Sequence, residues 1–326
     1  MKVYITITHQ VPEEALYMLQ EAGYQVVKAA QVLTRKELLE DVHGADAIFS
    51  GLTTRIDREL IDAAGPQLKI IANYAVGFDN IDLAVAKARG IAVTNTPVPE
   101  VSIAVAEHTM ALILGLGRRV VEADTYAKGE KYQGWDPQLL VGTQVYGKTL
   151  GIIGLGRIGK SLAERAVKGF KMKVVYTNPH RDAEFERIFG GVWLPLEKLL
   201  QESDFISLHV PLSPATHHMI STEQFSLMKK TAFLINTARG PVVDEKALLR
   251  ALKTKRIAGA ALDVYECEPH IDCDITDHLE LKAFSNVILT PHIASATLEA
   301  RVAMARCAGY NIIAVLSGHP PLNPAV

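Results

Sequence analysis

Residues Thr149–Ala166 read TLGIIGLGRIGKSLAERA, an apolar run that enters three glycines and leaves as a helical pattern. Each glycine has a physical reason at its place. Gly154 allows the tight turn after the strand, Gly156 lets backbone approach a pyrophosphate, and Gly159 lets the helix pack closely on the strand. The N–H groups at the start of that helix, with their partial positive charge, suit phosphate oxygens. A glycine triplet alone is weak, but here the strand before it and the helix after it are both present. The stretch therefore predicts a parallel α/β dinucleotide fold.

Working outward, the residue that selects the ribose belongs at the end of the next strand, about twenty residues on. Nineteen positions past Gly159 stands Asn178, within VVYTNPHRD, followed by His180 and Arg181. An acid there would accept bonds from ribose hydroxyls and repel a 2′-phosphate. Asn178 repels nothing, and the basic residues beside it lean the reading to NADP(H) over NAD(H).

The same alternation of short β-branched runs with amphipathic stretches extends in both directions. Strands are expected at 3–8, 25–28, 47–50, 70–74 and 92–94. A second series is expected at 150–154, 173–177, 205–209, 232–236, 258–263 and 287–290. Helical periodicity over Val101–Tyr126 and Ala296–Leu316 joins the series. The expected organisation is residues 1–100 plus 296–326 as a substrate (catalytic) domain and 101–295 as the dinucleotide-binding Rossmann domain. In fold class this is α/β, with two Rossmann-like or flavodoxin-like doubly wound parallel-sheet domains and an interdomain cleft.

Composition narrows the function classes. The chain has 326 residues, 48% hydrophobic and 21% charged, which suits packed domains rather than disorder. Its 34 Lys and Arg nearly cancel 36 Asp and Glu, so neither a nucleic-acid-coating surface nor a polyanion-binding tail is suggested. Three cysteines cannot build a disulfide framework and read as reduced thiols. The start, MKVYITITHQV, lacks the apolar core and cleavage site of a signal peptide, and no uninterrupted apolar run approaches ~18 residues. A cytoplasmic protein with no membrane or nucleic-acid partner is expected.

Four further segments read as chemistry at strand ends, where open α/β sheets bind ligands. They are NYAVGFDNID (Asn73–Asp82), NTARGPVVDE (Asn236–Glu245), ALDVYECEP (Ala261–Pro269) and LTPHIASAT (Leu289–Thr297). With the glycine motif, the order and spacing of the Arg-Gly, Glu-Pro and Pro-His segments resemble the D-isomer-specific 2-hydroxyacid dehydrogenases over essentially the whole chain. NYAVGFDNID is similar to what the glyoxylate and hydroxypyruvate reductases of that family carry. The resemblance implies an NAD(P)-dependent oxidoreductase of small 2-keto and 2-hydroxy acids, acting as a homodimer.

It also implies a catalytic set of Arg239, Glu268 and His292, and physical chemistry suits each role. Reduction of a 2-keto acid needs a hydride at carbon and a proton at oxygen, and a histidine titrating near ~6.5 is a usable acid. Glu268, bonded to the other ring nitrogen, would stabilise imidazolium and orient the ring. Arg239 offers planar donors to the substrate carboxylate and stays charged. By the same resemblance Val76 and Gly77 hold the substrate carboxylate through backbone N–H groups, with Leu52 and Tyr74 beside them. Arg157, Ile158, His209, Val210, Pro211, Thr216, Thr237, Ala238 and Ala294 match positions that line the cofactor cleft, and Asp263 matches the residue that bonds the nicotinamide carboxamide. Val105 departs from the pattern: many relatives carry threonine there.

Within the family, phosphite dehydrogenases place a lysine where this chain has Val76, and phosphoglycerate dehydrogenases an arginine near Gly51. Both substrates are therefore disfavoured, although KYQGWDPQ (Lys131–Gln138) is similar to the former. Trp135 and Tyr132 lie in a loop that in the family reaches the partner subunit, either capping its pocket or packing the interface. The rival from another class is a nucleotide-sensing corepressor, which would bind cofactor without turnover. Cys267, His270, Cys273 and His278 lack the paired Cys-x-x-Cys elements of a zinc site, and His217 and His218 suit a surface or capping role, so no metal is expected.

Overall fold

The computed structural model describes residues 1–7, 11–28, 33–268 and 280–325. The chain divides into two compact units. One is Met1–Val101 with Ala296–Val326, and the other is Ser102–Ser295.

The first unit is a parallel five-stranded sheet of β1 (Lys2–Ile5), β2 (Gln25–Lys28), β3 (Ala47–Ser50), β4 (Ile70–Asn73) and β5 (Ala92–Thr94). Its order, β2-β1-β3-β4-β5, is the flavodoxin-like doubly wound order. Strands β1, β3, β4 and β5 are largely buried on both faces, which explains their apolar sequences, whereas the edge strand β2 is partly exposed. Period-two alternation sends Tyr4, Ile48, Ile71 and Val93 into one core and Val3, Ile5, Phe49, Ile70 and Ala72 into the other. The helix Leu298–Leu316 covers the second core with Ala305, Ala308, Ile312 and Leu316.

The second unit is a parallel seven-stranded sheet: β6 (Thr149–Ile153), β7 (Lys173–Thr177), β8 (Val192–Trp193), β9 (Phe205–Leu208), β10 (Phe233–Asn236), β11 (Gly259–Leu262) and β12 (Val287–Leu289). The order β12-β11-β10-β9-β6-β7-β8 is the Rossmann order with one strand added. Direction reverses between β6 and β9, so the carboxyl ends of those two strands flank the switch point where such sheets bind ligands.

Three local expectations need correction. The single helix expected over 101–126 is two, Pro99–Gly117 and Val120–Lys128, because Arg119 sits in the left-handed region at φ 54°. Its guanidinium grips Glu122 with two bonds of 2.8 Å, and Thr143 N–H bonds Gly117 O at 2.6 Å, which fixes the break. The short strand β8 was not expected, since two residues carry no periodicity. Cys307 has a free thiol, but Cys267 is disulfide-bonded, so uniformly reduced cysteines do not describe this chain. By length and composition Pro99–Gly117 is apolar enough to cross a membrane; its Met110, Ile113 and Leu116 are packed in the core instead.

Candidate active site

The glycine turn follows β6, and its three glycines separate into different roles. Gly154 has φ 97°, and a Cβ there would lie 2.7 Å from the backbone of His209 on β9's exit. At Gly159 a Cβ would meet Gly154 O at 2.5 Å, so the helix Arg157–Phe170 packs against the turn only without a side chain. Gly156 is the N-cap of that helix, and a Cβ on it would meet nothing within 4 Å. The protein does not need glycine there, and the exposed space above a four-turn helix N-terminus fits a pyrophosphate.

At the end of β7, Asn178 Oδ1 accepts the N–H of Leu155, at 2.8 Å, inside the glycine turn. That bond fixes the amide's orientation: the oxygen faces a donor, so the outer atom is the Nδ2 donor. Trp193 donates to the Asn178 carbonyl at 3.0 Å. Arg181 is exposed and bonds Glu186, and His180 is exposed beside it.

At the end of β9, His209 bonds Ser207 Oγ through Nε2 at 2.8 Å, while its buried Nδ1 has no protein partner. Burial pushes this imidazole down to about 4, so it is neutral and contributes no cation beside the glycine turn. Thr216 closes the following loop by donating to Pro211 O at 2.6 Å. Val210 packs on the core beneath.

The ends of β10, β11 and β12 carry the three residues expected to do chemistry. After β10, Asn236 bonds Ala238 N and Arg239 O (3.0 and 2.9 Å) and shapes the turn holding Thr237, Ala238 and Arg239. Arg239 Nη1 donates to Ala238 O at 2.8 Å. Gly240 then lies against the loop after β11 so closely that a Cβ would sit 1.8 Å from Tyr265 O. The two loops also exchange bonds: Glu245 accepts Glu266 N–H at 2.7 Å, and Glu266 accepts Glu245 N–H at 3.2 Å. Thus the Arg239 loop and the Glu268 loop are fastened by reciprocal carboxylate-to-backbone bonds.

His292 Nδ1 lies 2.7 Å from Glu268 Oε2. The histidine occupies the left-handed region at φ 54°, a conformation that costs a non-glycine residue energy and needs support. Asp263 supplies it. Its fully buried carboxylate accepts Thr290 Oγ1 at 2.6 Å, Ile293 N–H at 2.9 Å and Ala294 N–H at 2.8 Å, and its carbonyl accepts His292 N–H at 2.8 Å. Burial raises the Asp263 carboxyl, but bonds from His108, Thr290 and the two N–H groups outweigh it and hold the group below the usual carboxylate range. Asp263, expected as a nicotinamide contact, thus organises the whole turn around His292. Thr109 Oγ1 stands 3.1 Å from Thr237 Oγ1, a turn of helix beyond Val105.

In the first unit, a buried network pins the loops after β3 and β4. Ser50 Oγ bonds Asn73 Oδ1, and Asn80 Nδ2 bonds the carbonyls of Gly51 and Thr54. The carbonyls of Ala75, Val76 and Gly77 are taken by Thr96, Asn95 and Asn73 respectively. In a trans peptide the next N–H points opposite to the carbonyl. The N–H groups of Val76, Gly77 and Phe78 therefore point away from Thr96, Asn95 and Asn73 respectively. Tyr74 OH donates to Arg301 O at 2.8 Å, and burial pushes the phenol up to about 12. Leu52 is half-buried on the neighbouring loop.

Matching of family models assigns residues 110–294 to the NAD-binding domain of the D-isomer-specific 2-hydroxyacid dehydrogenases. A glyoxylate reductase of Korarchaeum cryptofilum is 46% identical over 325 residues, covering 99% of this chain and 96% of its own. The chain belongs to the D-isomer-specific 2-hydroxyacid dehydrogenases. A Thermus thermophilus crystal structure superposes on this dehydrogenase with a TM-score of 0.90 at 41% identity, each chain fully covered. That of the NADPH-dependent glyoxylate/hydroxypyruvate reductase of Sinorhizobium meliloti gives 0.84 at 30% identity, covering 100% of this chain and 97% of its own. The dehydrogenase is an NAD(P)-dependent enzyme that moves hydride between the cofactor and a small 2-keto acid.

Sequence reasoning missed several supporting residues. Thr290, His108 and Gly240 sit beside or between the motif residues, and the Pro-His and Arg-Gly dipeptides already flagged two of those neighbours. The Asn73–Asn80 network had no signal beyond two asparagines in one loop. Of the weighed zinc ligands, His270, Cys273 and His278 lie outside the described residues; among the described residues no metal-binding cluster occurs. His217 and His218 stack at 4.1 Å, and His218 Nε2 is 2.6 Å from Glu266 Oε1. A cavity of about 270 Å³ lined by Leu116, Arg119, Gly142, Phe233 and Ile288 lies at the amino ends of the strands, away from the glycine turn.

Proposed function

We propose that the dehydrogenase reduces glyoxylate and hydroxypyruvate, with NADP(H) favoured over NAD(H). The observation that carries this reading is the His292–Glu268 pair, held on a turn tied to Asp263 at the same carboxyl edge as the glycine turn. The relatives named for glyoxylate or hydroxypyruvate reduction support the substrate class. Val76, uncharged where the substrate carboxylate is expected, suits a monoanion.

Gly154, Gly156 and Gly159 with Arg157 and Ile158 would hold the pyrophosphate, and Thr237, Ala238 and Ala294 would line the nicotinamide end. When bound, the reduced cofactor supplies the hydride. The N–H groups of Val76 and Gly77 and the guanidinium of Arg239 hold the substrate carboxylate. Arg239 also draws charge onto the reacting carbonyl oxygen, where it grows in the transition state. His292 delivers a proton from Nε2 to that oxygen, and Glu268, at Nδ1, stabilises the imidazolium before transfer and keeps the ring aimed. The products are the 2-hydroxy acid and the oxidised cofactor.

Two observations support the cofactor preference. The outer atom of Asn178 is a donor, matched to phosphate oxygens, and Arg181 stands three residues on. The S. meliloti neighbour is described as NADPH-dependent. Exposed apolar residues concentrate between Val120 and Tyr146, with Trp135 83% exposed in the isolated chain, and support a homodimer that covers them. A cytoplasmic location, which supplies a recycled nicotinamide pool, belongs to the same reading. Initial rates with glyoxylate, hydroxypyruvate and pyruvate, each with NADPH and NADH, test the reading. Binding of NADPH without oxidation by any of the three would favour a nucleotide sensor.

A further inference from the structure

The loop that leaves β7 carries its charges in closed pairs. Lys160, on the helix after the glycine turn, bonds Asp182, the residue that caps the helix Ala183–Phe189. Arg181 bonds Glu186 of that helix at two points, Nε to Oε1 at 3.2 Å and Nη2 to Oε2 at 2.7 Å. Glu186 is not a mobile surface acid. The hydroxyl of Tyr176, whose ring is buried in β7, donates to Glu186 Oε1 at 2.9 Å and accepts the N–H of Asp182 at 2.7 Å. Sheet, loop and helix thus converge on one carboxylate. Bonds from Arg181 and Tyr176 hold it below the usual range, so it is anionic at neutral pH.

We propose that Glu186 is a cofactor-specificity residue, an internal anion that occupies Arg181 in the free enzyme and competes with a 2′-phosphate for the same donors. This rests on the reading of Arg181 as the 2′-phosphate ligand. A guanidinium presents one fork, and carboxylate and phosphate bind it in the same bidentate way. A 2′-phosphate entering here displaces the Glu186 carboxylate and then sits near its uncompensated charge, whereas a 2′-hydroxyl leaves the pair intact. Glu186 thereby lowers the preference that Arg181 creates and keeps NADH usable.

Glu186→Gln preserves length and the acceptor for Tyr176 while removing the charge. In calorimetric titrations of the cofactor-free protein with adenosine 2′,5′-bisphosphate and with ADP, the ratio of affinities should shift toward the 2′-phosphate by about two- to fivefold, the size an exposed charge pair supplies. The ratio of kcat/KM for NADPH to that for NADH should move the same way through KM. Both shifts should shrink in added salt and vanish in the Arg181→Ala background, where no shared donor remains. An unchanged ratio in Glu186→Gln, with Arg181→Ala still lowering it, would overturn the role of Glu186 and leave the cofactor reading standing. An unchanged ratio in Arg181→Ala would overturn the cofactor reading and this inference together.

Discussion

Asp263→Asn is the sharpest perturbation of the site because it changes one buried atom and almost no volume. The wild-type carboxylate faces donors on both oxygens: Thr290 Oγ1 and Ile293 N–H on one, Ala294 N–H on the other. An asparagine has one oxygen to offer, so whichever way it turns its NH2 confronts a backbone N–H. A buried donor left facing a donor costs about 1–3 kcal/mol. The loss falls on the turn that holds His292 in its left-handed conformation, so kcat should fall together with stability. Both tryptophans, Trp135 and Trp193, belong to the unit carrying Asp263, and their fluorescence follows its unfolding in urea. The acid limb adds a sign test. The folded-state carboxyl titrates below its unfolded value of ~3.9, so its contribution is fully present above that value and is lost as pH falls through the lower folded one. The stability gap between wild type and Asp263→Asn should therefore narrow in strong acid. A variant within about 0.5 kcal/mol of wild type at neutral pH, with kcat intact, would refute the reasoning.

Two glycines of one motif should respond differently. Gly159→Ala pushes a Cβ to 2.5 Å from Gly154 O and should destabilise the second unit by about 1–3 kcal/mol, measured by denaturant unfolding. Gly156→Ala meets open space and should leave stability within about 0.5 kcal/mol while weakening NADPH binding in a fluorescence titration. Light scattering should give a dimer mass for the purified chain, and Trp135→Ala with Tyr132→Ala should weaken that dimer upon dilution; a monomer at every concentration would contradict the homodimer.

Much of this molecule was legible in the sequence because its strongest signals are backbone requirements. Glycines at 154 and 159 are demanded by contacts under 3 Å, and continuous apolar strands are what a sheet covered on both faces needs. The parts that escaped are those set by tertiary contact. Nothing in a helical period announces that Arg119 will turn left-handed to bond Glu122. Asp263 shows the same limit from the other side: its presence at a strand end was readable, but its three donors come from a loop about thirty residues away. Asn178 was read as a ribose contact, whereas its oxygen also fastens the glycine turn, a bond that spacing alone does not reveal.

The most direct measurement is the rate of NADPH oxidation with hydroxypyruvate by wild type and by His292→Ala, with NADPH affinity and the handedness of the product determined alongside. Proton donation from His292 requires a kcat lower by at least about a hundredfold in the variant with nearly equal NADPH affinity in the two proteins, and D-specific hydride delivery requires wild-type turnover to D-glycerate. Comparable turnover in His292→Ala would contradict proton donation from His292, and L-glycerate from wild type would contradict the D-specific reading.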